Sequence, residues 1–281
     1  MSAFAGIAFL AGLLLFVVLG LAGPPYLTAL RRARFMRKPF PAAWRAVLRQ
    51  RMPLYARLPP DVQQRLRQRV QVLLAEVPFI GCGRLQVTDE VRVLVAAQAA
   101  LLLIGRSPAF GGLREVLVYP GHFVVQRSEP GADGVVHEGR RVLAGESWQR
   151  GKVVLAWDAV VEGAADPADG ANVVLHEFAH QLDHDHNGRA NGAPFLGSGT
   201  LSRREGQQRW AEVMNAEFAA LRLRLAQGEP GLIDPYAATD PAEFFAVTTE
   251  LFYERPIELA AAHPAMYGEL MRCYRVDPRQ W

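Results

Sequence analysis

Cysteine is nearly absent: Cys82 and Cys273 are the only two in 281 residues, far apart and without metal-type pairing. No disulfide framework can be built on them, and a reducing compartment is expected. Charge is missing altogether from Met1 to Leu30. Basic excess is also missing from most of the chain. The formal net charge is +3, but Arg31, Arg32, Arg34, Arg37 and Lys38 alone carry five positive charges. The remainder is slightly acidic, so there is no electrostatic case for direct nucleic-acid binding. No internal repeat or low-complexity tract follows the N-terminal region, and half the residues are apolar, enough for one substantial core.

The uncharged start contains the run Ala3 to Ala22, AFAGIAFLAGLLLFVVLGLA, about the length that crosses a bilayer as a helix. A cleaved signal peptide wants positive residues before a shorter apolar core, whereas here they all follow it. Residues 1–30 are therefore expected to be a transmembrane anchor and 31–60 a basic juxtamembrane and linker segment. By the positive-inside rule, the cluster from Arg31 to Lys38 faces the cytoplasm. The expected location is the bacterial inner (cytoplasmic) membrane, single-pass, with the body of the protein in the cytosol.

Residues 61–281 are expected to form one α+β domain. Asp61, after Pro59-Pro60, is placed to cap a helix with an apolar stripe of Val62, Leu66, Val70, Leu73 and Leu74. Thr88 opens a second helix, apolar enough from Ala96 to Ile104 to be central to the core. Strands are expected at Glu115–Tyr119 and Phe123–Gln126. Two more, around Val142–Trp148 and Val153–Trp157, should be joined as a hairpin at Arg150-Gly151-Lys152. Beyond Gly170 the pattern is helical, near 171–184, 203–227, 241–254 and 264–273.

Four of the seven histidines fall within eleven residues: His176, His180, His184 and His186. The first two belong to His176-Glu177-Phe178-Ala179-His180, an H-E-x-x-H. Imidazoles four apart share one helical face, so both can reach one zinc ion while Glu177 addresses its water. The apolar flanks, Val173 to Leu175 and Phe178, Ala179 and Leu182, suit a buried helix rather than a solvated one.

A catalytic zinc usually takes three protein ligands. His186, ten residues after His176, falls where H-E-x-x-H-x-x-G-x-x-H has its last ligand, but Asp183 stands in place of the hinge glycine. Otherwise His184 and His186 form a polar helix end before Asn187-Gly188. The other source is a carboxylate from a later helix, Glu243 or Glu250. Glu243 also fits a capping box with Asp240 and Pro241, yet its apolar surroundings favour it as the ligand. Glu250 is then a hydrogen-bond acceptor orienting a ligand imidazole, or a solvent-facing residue. Asp183 either buttresses a ligand or caps the helix end, with a slight preference for the former.

The segments VVLHEFAHQLDHDHNG and IDPYAATDPAEFFAVTTELFYERP, with TDEVRVLVAAQAALLL, YPGHFVV and LAWDAVVEGA, resemble the zinc peptidases typified by Mlc titration factor A, from roughly Arg51 to the C-terminus. The resemblance implies a zincin-like, gluzincin-type domain: a small mixed sheet, an active-site helix and a mostly helical C-terminal half. It implies His176, His180 and Glu243 as Zn2+ ligands, Glu177 as catalytic base and Tyr236 as an assisting phenol. The expected activity is hydrolysis of a peptide or protein substrate. The founding member binds a sugar-responsive transcriptional repressor, so a transcriptional regulator is the other implied partner, and a zinc-containing protein that sequesters such a partner without proteolysis is the alternative. The N-terminal hydrophobic helix is a departure from that soluble founding member.

Overall fold

The computed structural model describes residues 24–281 except 108, 122, 131–135, 144, 149–150, 188–189 and 195–202; between 122 and 150, between 185 and 189 and at 203 it describes no side chains. The expected membrane span, Ala3 to Ala22, lies outside the described residues. Among those described, no helix is long and apolar enough to cross a membrane. The chain divides into two compact units, Met1–Pro39 and Phe40–Trp281. In the first, residues 24–36 are helical (α1), with Tyr26, Leu27 and Leu30 exposed.

The second unit is mostly helical around a small mixed sheet. It begins earlier than expected: Phe40–Pro60 is packed structure rather than linker. Helices α2 (Ala42–Arg51) and α3 (Pro53–Arg57) bury Leu48, Leu54 and Tyr55, and Met52 and Leu58 beside them are 2% exposed. The prolines that suggested a linker start helices instead, where a missing N–H costs nothing. The same holds for α4 (Pro60–Glu76), whose N-cap position is Pro59. Asp61 is therefore not the cap; it lies in the first turn and pairs with Arg65 at 2.8 Å. The stripe from Val62 to Leu74 is buried as its spacing predicts.

Helix α5 (Asp89–Leu101) is capped by Thr88, whose hydroxyl accepts from Val91 N. From Val93 to Ile104 every residue is at most 2% exposed, which places this helix at the centre of the core. Strands β1 (Phe79–Gly81), β2 (Glu115–Tyr119), β5 (Gly145–Trp148) and β6 (Lys152–Ala156) form a sheet in the order β1-β2-β6-β5. β1, β2 and β6 run parallel, with Phe79 opposite Val116 and Val116 opposite Val153. β5 is antiparallel to β6, with Gly145 opposite Leu155, as the expected hairpin requires. Val116, Val118, Val153 and Leu155 point into the core.

β3 (Phe123–Pro130) and β4 (Val136–Leu143) pair separately as an antiparallel ribbon. The strand expected over Val142–Trp148 is thus divided between β4 and β5, in different sheets. Helix α6 (Trp157–Ala165) follows β6, and no strand follows it among the described residues. Helices α7 (Val173–Asn187), α8 (Arg203–Ala226), α9 (Pro241–Glu254), α10 (Pro256–Ala262) and α11 (Pro264–Tyr274) complete the unit. α7 packs on α9 and lies against β5 and β6, so one helix joins the sheet to the helical half.

Candidate metal centre

α7 starts where it does because of Asn172. Its side-chain oxygen accepts from Val174 N and Leu175 N, and its carbonyl takes the first helical hydrogen bond from His176 N. This is N-cap geometry, and it fixes the helical phase that turns His176 and His180 to one side. α9 is set by Asp240, whose carboxylate accepts from Ala242 N and Glu243 N, with Pro241 at the first helical position. The cap half of the expected capping box is present. The Glu243 side chain, however, is directed at the imidazoles of α7.

The Nε2 of His176 lies 2.9 Å from Oε2 of Glu243, the Nε2 of His180 lies 3.3 Å from the same oxygen, and the two Nε2 atoms are 3.2 Å apart. Atoms bound about 2.0–2.1 Å from a tetrahedral ion such as zinc stand about 3.3–3.4 Å from one another, so the three donors have the spacing of a coordination shell. They are also sheltered: His180 is 8% exposed, and the side chains of His176 and Glu243 are 14% and 18% exposed.

The electrostatics fit a cation. Burial works against a charged ring at His176, but hydrogen bonds to Glu243 and Glu250, with the charges of Glu250 and Glu177, outweigh it and hold the imidazole well above its usual pKa. Burial likewise favours the neutral acid at Glu243, yet the bonds and charges of His176 and His180 hold its carboxyl well below the usual range. A divalent cation placed among these groups would satisfy the same concentration of negative charge and lone pairs.

Glu250 resolves in favour of imidazole orientation. Its Oε1 is 2.8 Å from Nδ1 of His176, and its Oε2 accepts from the backbone N–H of Asn172. Glu177, between the two histidines, is 5% exposed. Tyr236 lies on the 3₁₀ turn Pro235–Ala238, held by Asp234, whose carboxylate accepts from Tyr236 N at 2.7 Å. The tyrosine ring is 6.1 Å from the His176 ring between centroids and 47% exposed.

Two other expectations change. α7 runs unbroken to Asn187, which carries His186 about 15 Å along the axis from His176. A third imidazole can fold back onto an ion only where the helix breaks, and the side chain that the fold brings to His176 and His180 is that of Glu243. Asp183 does not buttress a ligand: its carboxylate accepts from the N–H groups of Asn191, Gly192 and Ala193, whereas Nδ1 of His180 has no hydrogen-bond partner among the described residues.

An H-E-x-x-H helix, joined by a carboxylate from a later helix beside a small mixed sheet, marks the metallopeptidase class. The chain belongs to the family described as glucose-regulated metallo-peptidase M90, whose match spans residues 27–275. It is 40% identical over 269 residues to an uncharacterized protein of Synechocystis sp., covering 95% of both chains. It is 32% identical over 239 residues to Mlc titration factor A of Pectobacterium atrosepticum, covering 84% of this chain and 86% of that one. With the Serratia proteamaculans protein of the same name the figures are 33% over 241 residues, 84% and 88%.

Proposed function

We propose that the chain is a zinc-dependent peptidase tethered to the membrane by its N-terminal segment. The observation that carries this is the convergence of His176 Nε2, His180 Nε2 and Glu243 Oε2 within 3.3 Å of one another, with Glu177 buried between the two histidines in sequence. Two imidazoles and one carboxylate are a common catalytic zinc set, leaving a fourth position open. When bound, zinc supplies Lewis acidity toward water and toward the peptide carbonyl. Glu177 takes the proton of the attacking water, and the same carboxyl returns it to the amine when the C–N bond breaks. Tyr236 donates its phenolic hydrogen to the oxygen that becomes negative during attack. Among the described residues β5 is an edge strand and α7 lies against it, so an extended substrate could add itself there.

Purified protein should bind one zinc and hydrolyse short chromogenic peptides in a chelator-sensitive way. Glu177→Gln should keep the zinc and lose hydrolysis by at least about a hundredfold, the usual scale of a general base. A fully active Glu177→Gln enzyme would sink the mechanism. The name Mlc titration factor A carried by two relatives favours a second reading: a protein that titrates a transcriptional regulator. Retained zinc with no hydrolysis of any peptide in the wild type would favour it.

The membrane part of the proposal rests on the uncharged residues 1–30 and the basic cluster after them. The match to the Synechocystis protein also covers too much of this chain to omit that whole stretch. The zinc site is assigned to the cytoplasmic side. A C-terminal reporter active only in the periplasm would overturn that orientation.

A further inference from the structure

Beneath the three converging donors lies a buried polar cluster that no step of hydrolysis uses. Its centre is Asn172, 4% exposed, which spends every hydrogen-bonding group it has. Its two side-chain carbonyl bonds and its main-chain carbonyl bond begin α7. The Nδ2 amide faces three acceptors at 3.0 Å: Oε1 of Gln98 on α5, the carbonyl of Gly163 on α6, and Oε1 of Glu254 on α9. Its main-chain N–H goes to Oε2 of Glu250, the carboxylate whose other oxygen meets Nδ1 of His176. One side chain thus ties four helices together two hydrogen bonds away from a metal-facing imidazole.

The surroundings are shaped for this residue. A Cβ on Gly163 would stand 3.1–3.2 Å from Asn172, so the absence of a side chain there is what lets α6 bring its carbonyl to the amide. Gln98 is 1% exposed, and its own amide is anchored on the carbonyls of Leu94 and Val160. That leaves its Oε1 fixed and facing Asn172. Glu254, 7% exposed, is anchored by Gly170 N at 3.1 Å. Buried polar groups cost free energy unless paired, so a fully paired set of this size specifies one arrangement strongly.

We infer that Asn172 is a positioning residue for the metal centre: by locking its own peptide between α5, α6 and α9, it aims Glu250 at His176 and so fixes which nitrogen of His176 is presented to the ion. A carboxylate on Nδ1 keeps the proton there, leaves Nε2 as the donor and raises its basicity. If Asn172 shifts, Glu250 loses its backbone anchor and the imidazole loses its fixed orientation. The inference rests on the zinc site of His176, His180 and Glu243, and it extends that site by one layer to α5, a helix that supplies no ligand.

The test compares the full-length wild type, Asn172→Asp and Gln98→Leu, each stripped with chelator and titrated with zinc and separately with cobalt. Asn172→Asp keeps the helix cap and the main-chain N–H but turns an acceptor toward Gln98, Gly163 and Glu254. Gln98→Leu leaves Asn172 and every ligand in place and removes one anchor, so it serves where the first variant folds poorly. The expected result is zinc affinity lowered about tenfold or more in Asn172→Asp and severalfold in Gln98→Leu, in keeping with the 10–100-fold range for groups that orient ligands. The visible cobalt spectrum should change in both. Wild-type zinc affinity and an unchanged cobalt spectrum in both variants would overturn the inference while leaving the zinc site standing. A wild type that binds no metal would instead overturn both.

Discussion

Glu250 Oε1 lies 2.8 Å from Nδ1 of His176, on the side of the ring away from Glu243. With one nitrogen held by a carboxylate, the other is committed to the metal-facing side. Glu250→Ala should therefore lower zinc affinity about 10- to 100-fold while the protein stays folded, as checked by competition with a chelator of known affinity. Unchanged affinity would mean that the ring is oriented by α7 alone.

Tyr236 is distinguished from the ligands by its place on a 3₁₀ turn, 47% exposed and with its ring 6.1 Å from that of His176. Under the proposed mechanism this phenol would act on charge that develops during reaction. Tyr236→Phe is expected to lower kcat by about a hundredfold with little change in KM or zinc content, the scale of losing one oxyanion donor. A rise in KM at constant kcat would reassign the tyrosine to substrate binding.

Asp183 clamps the chain after α7. Its carboxylate receives three backbone N–H groups, and Gly192 in the same stretch gives its carbonyl to Nε1 of Trp210 on α8 at 2.8 Å. Gly192 also has φ +75°, and a Cβ there would stand 2.3 Å from the Pro241 carbonyl at the start of α9. Asp183→Ala leaves three donors without their acceptor and should cost about 3 kcal/mol or more. Denaturant unfolding of the metal-free protein measures this directly. A loss under about 0.5 kcal/mol would show that water replaces the carboxylate.

How legible the fold was depends on where each element finds its partners. α9 was readable to the residue, because Asp240-Pro241 announces its start and buried aromatics follow. The candidate ligands could be named from the sequence because both histidines sit in one short motif and Glu243 sits in a capped helix; the structure brings the three together. β1 was not, since three residues show no periodicity. Nor were α2 and α3, where proline looked like punctuation of a linker. Asn172 was not singled out; an Asn just before an apolar helix signals a cap and nothing more. Its other bonds depend on Gln98, Gly163, Glu250 and Glu254 meeting from three helices, and no local pattern in the chain records that meeting. Glu254 gave even less: at the end of a helix it reads as a surface residue.

That residue carries the pH dependence. Burial, aided by the charges of Asp169 and Glu250 and opposed by the hydrogen bond from Asn172, pushes the Glu254 carboxyl up to about 9 from an ordinary 4.5. Between those two values the folded protein holds a proton that the unfolded chain has released. Stability therefore falls as pH rises through that window, and levels off above about 9. Glu254→Gln keeps a neutral group of the same shape and removes this linkage. In chelator, where metal binding adds no stabilisation of its own, thermal midpoints of wild type and variant should diverge between pH 5 and pH 8, moving in favour of the variant. Slopes from His176 and Glu243 are common to both proteins and cancel in the difference. Midpoint curves that stay parallel across that range would show that Glu254 ionises in the folded protein much as it does in the unfolded chain.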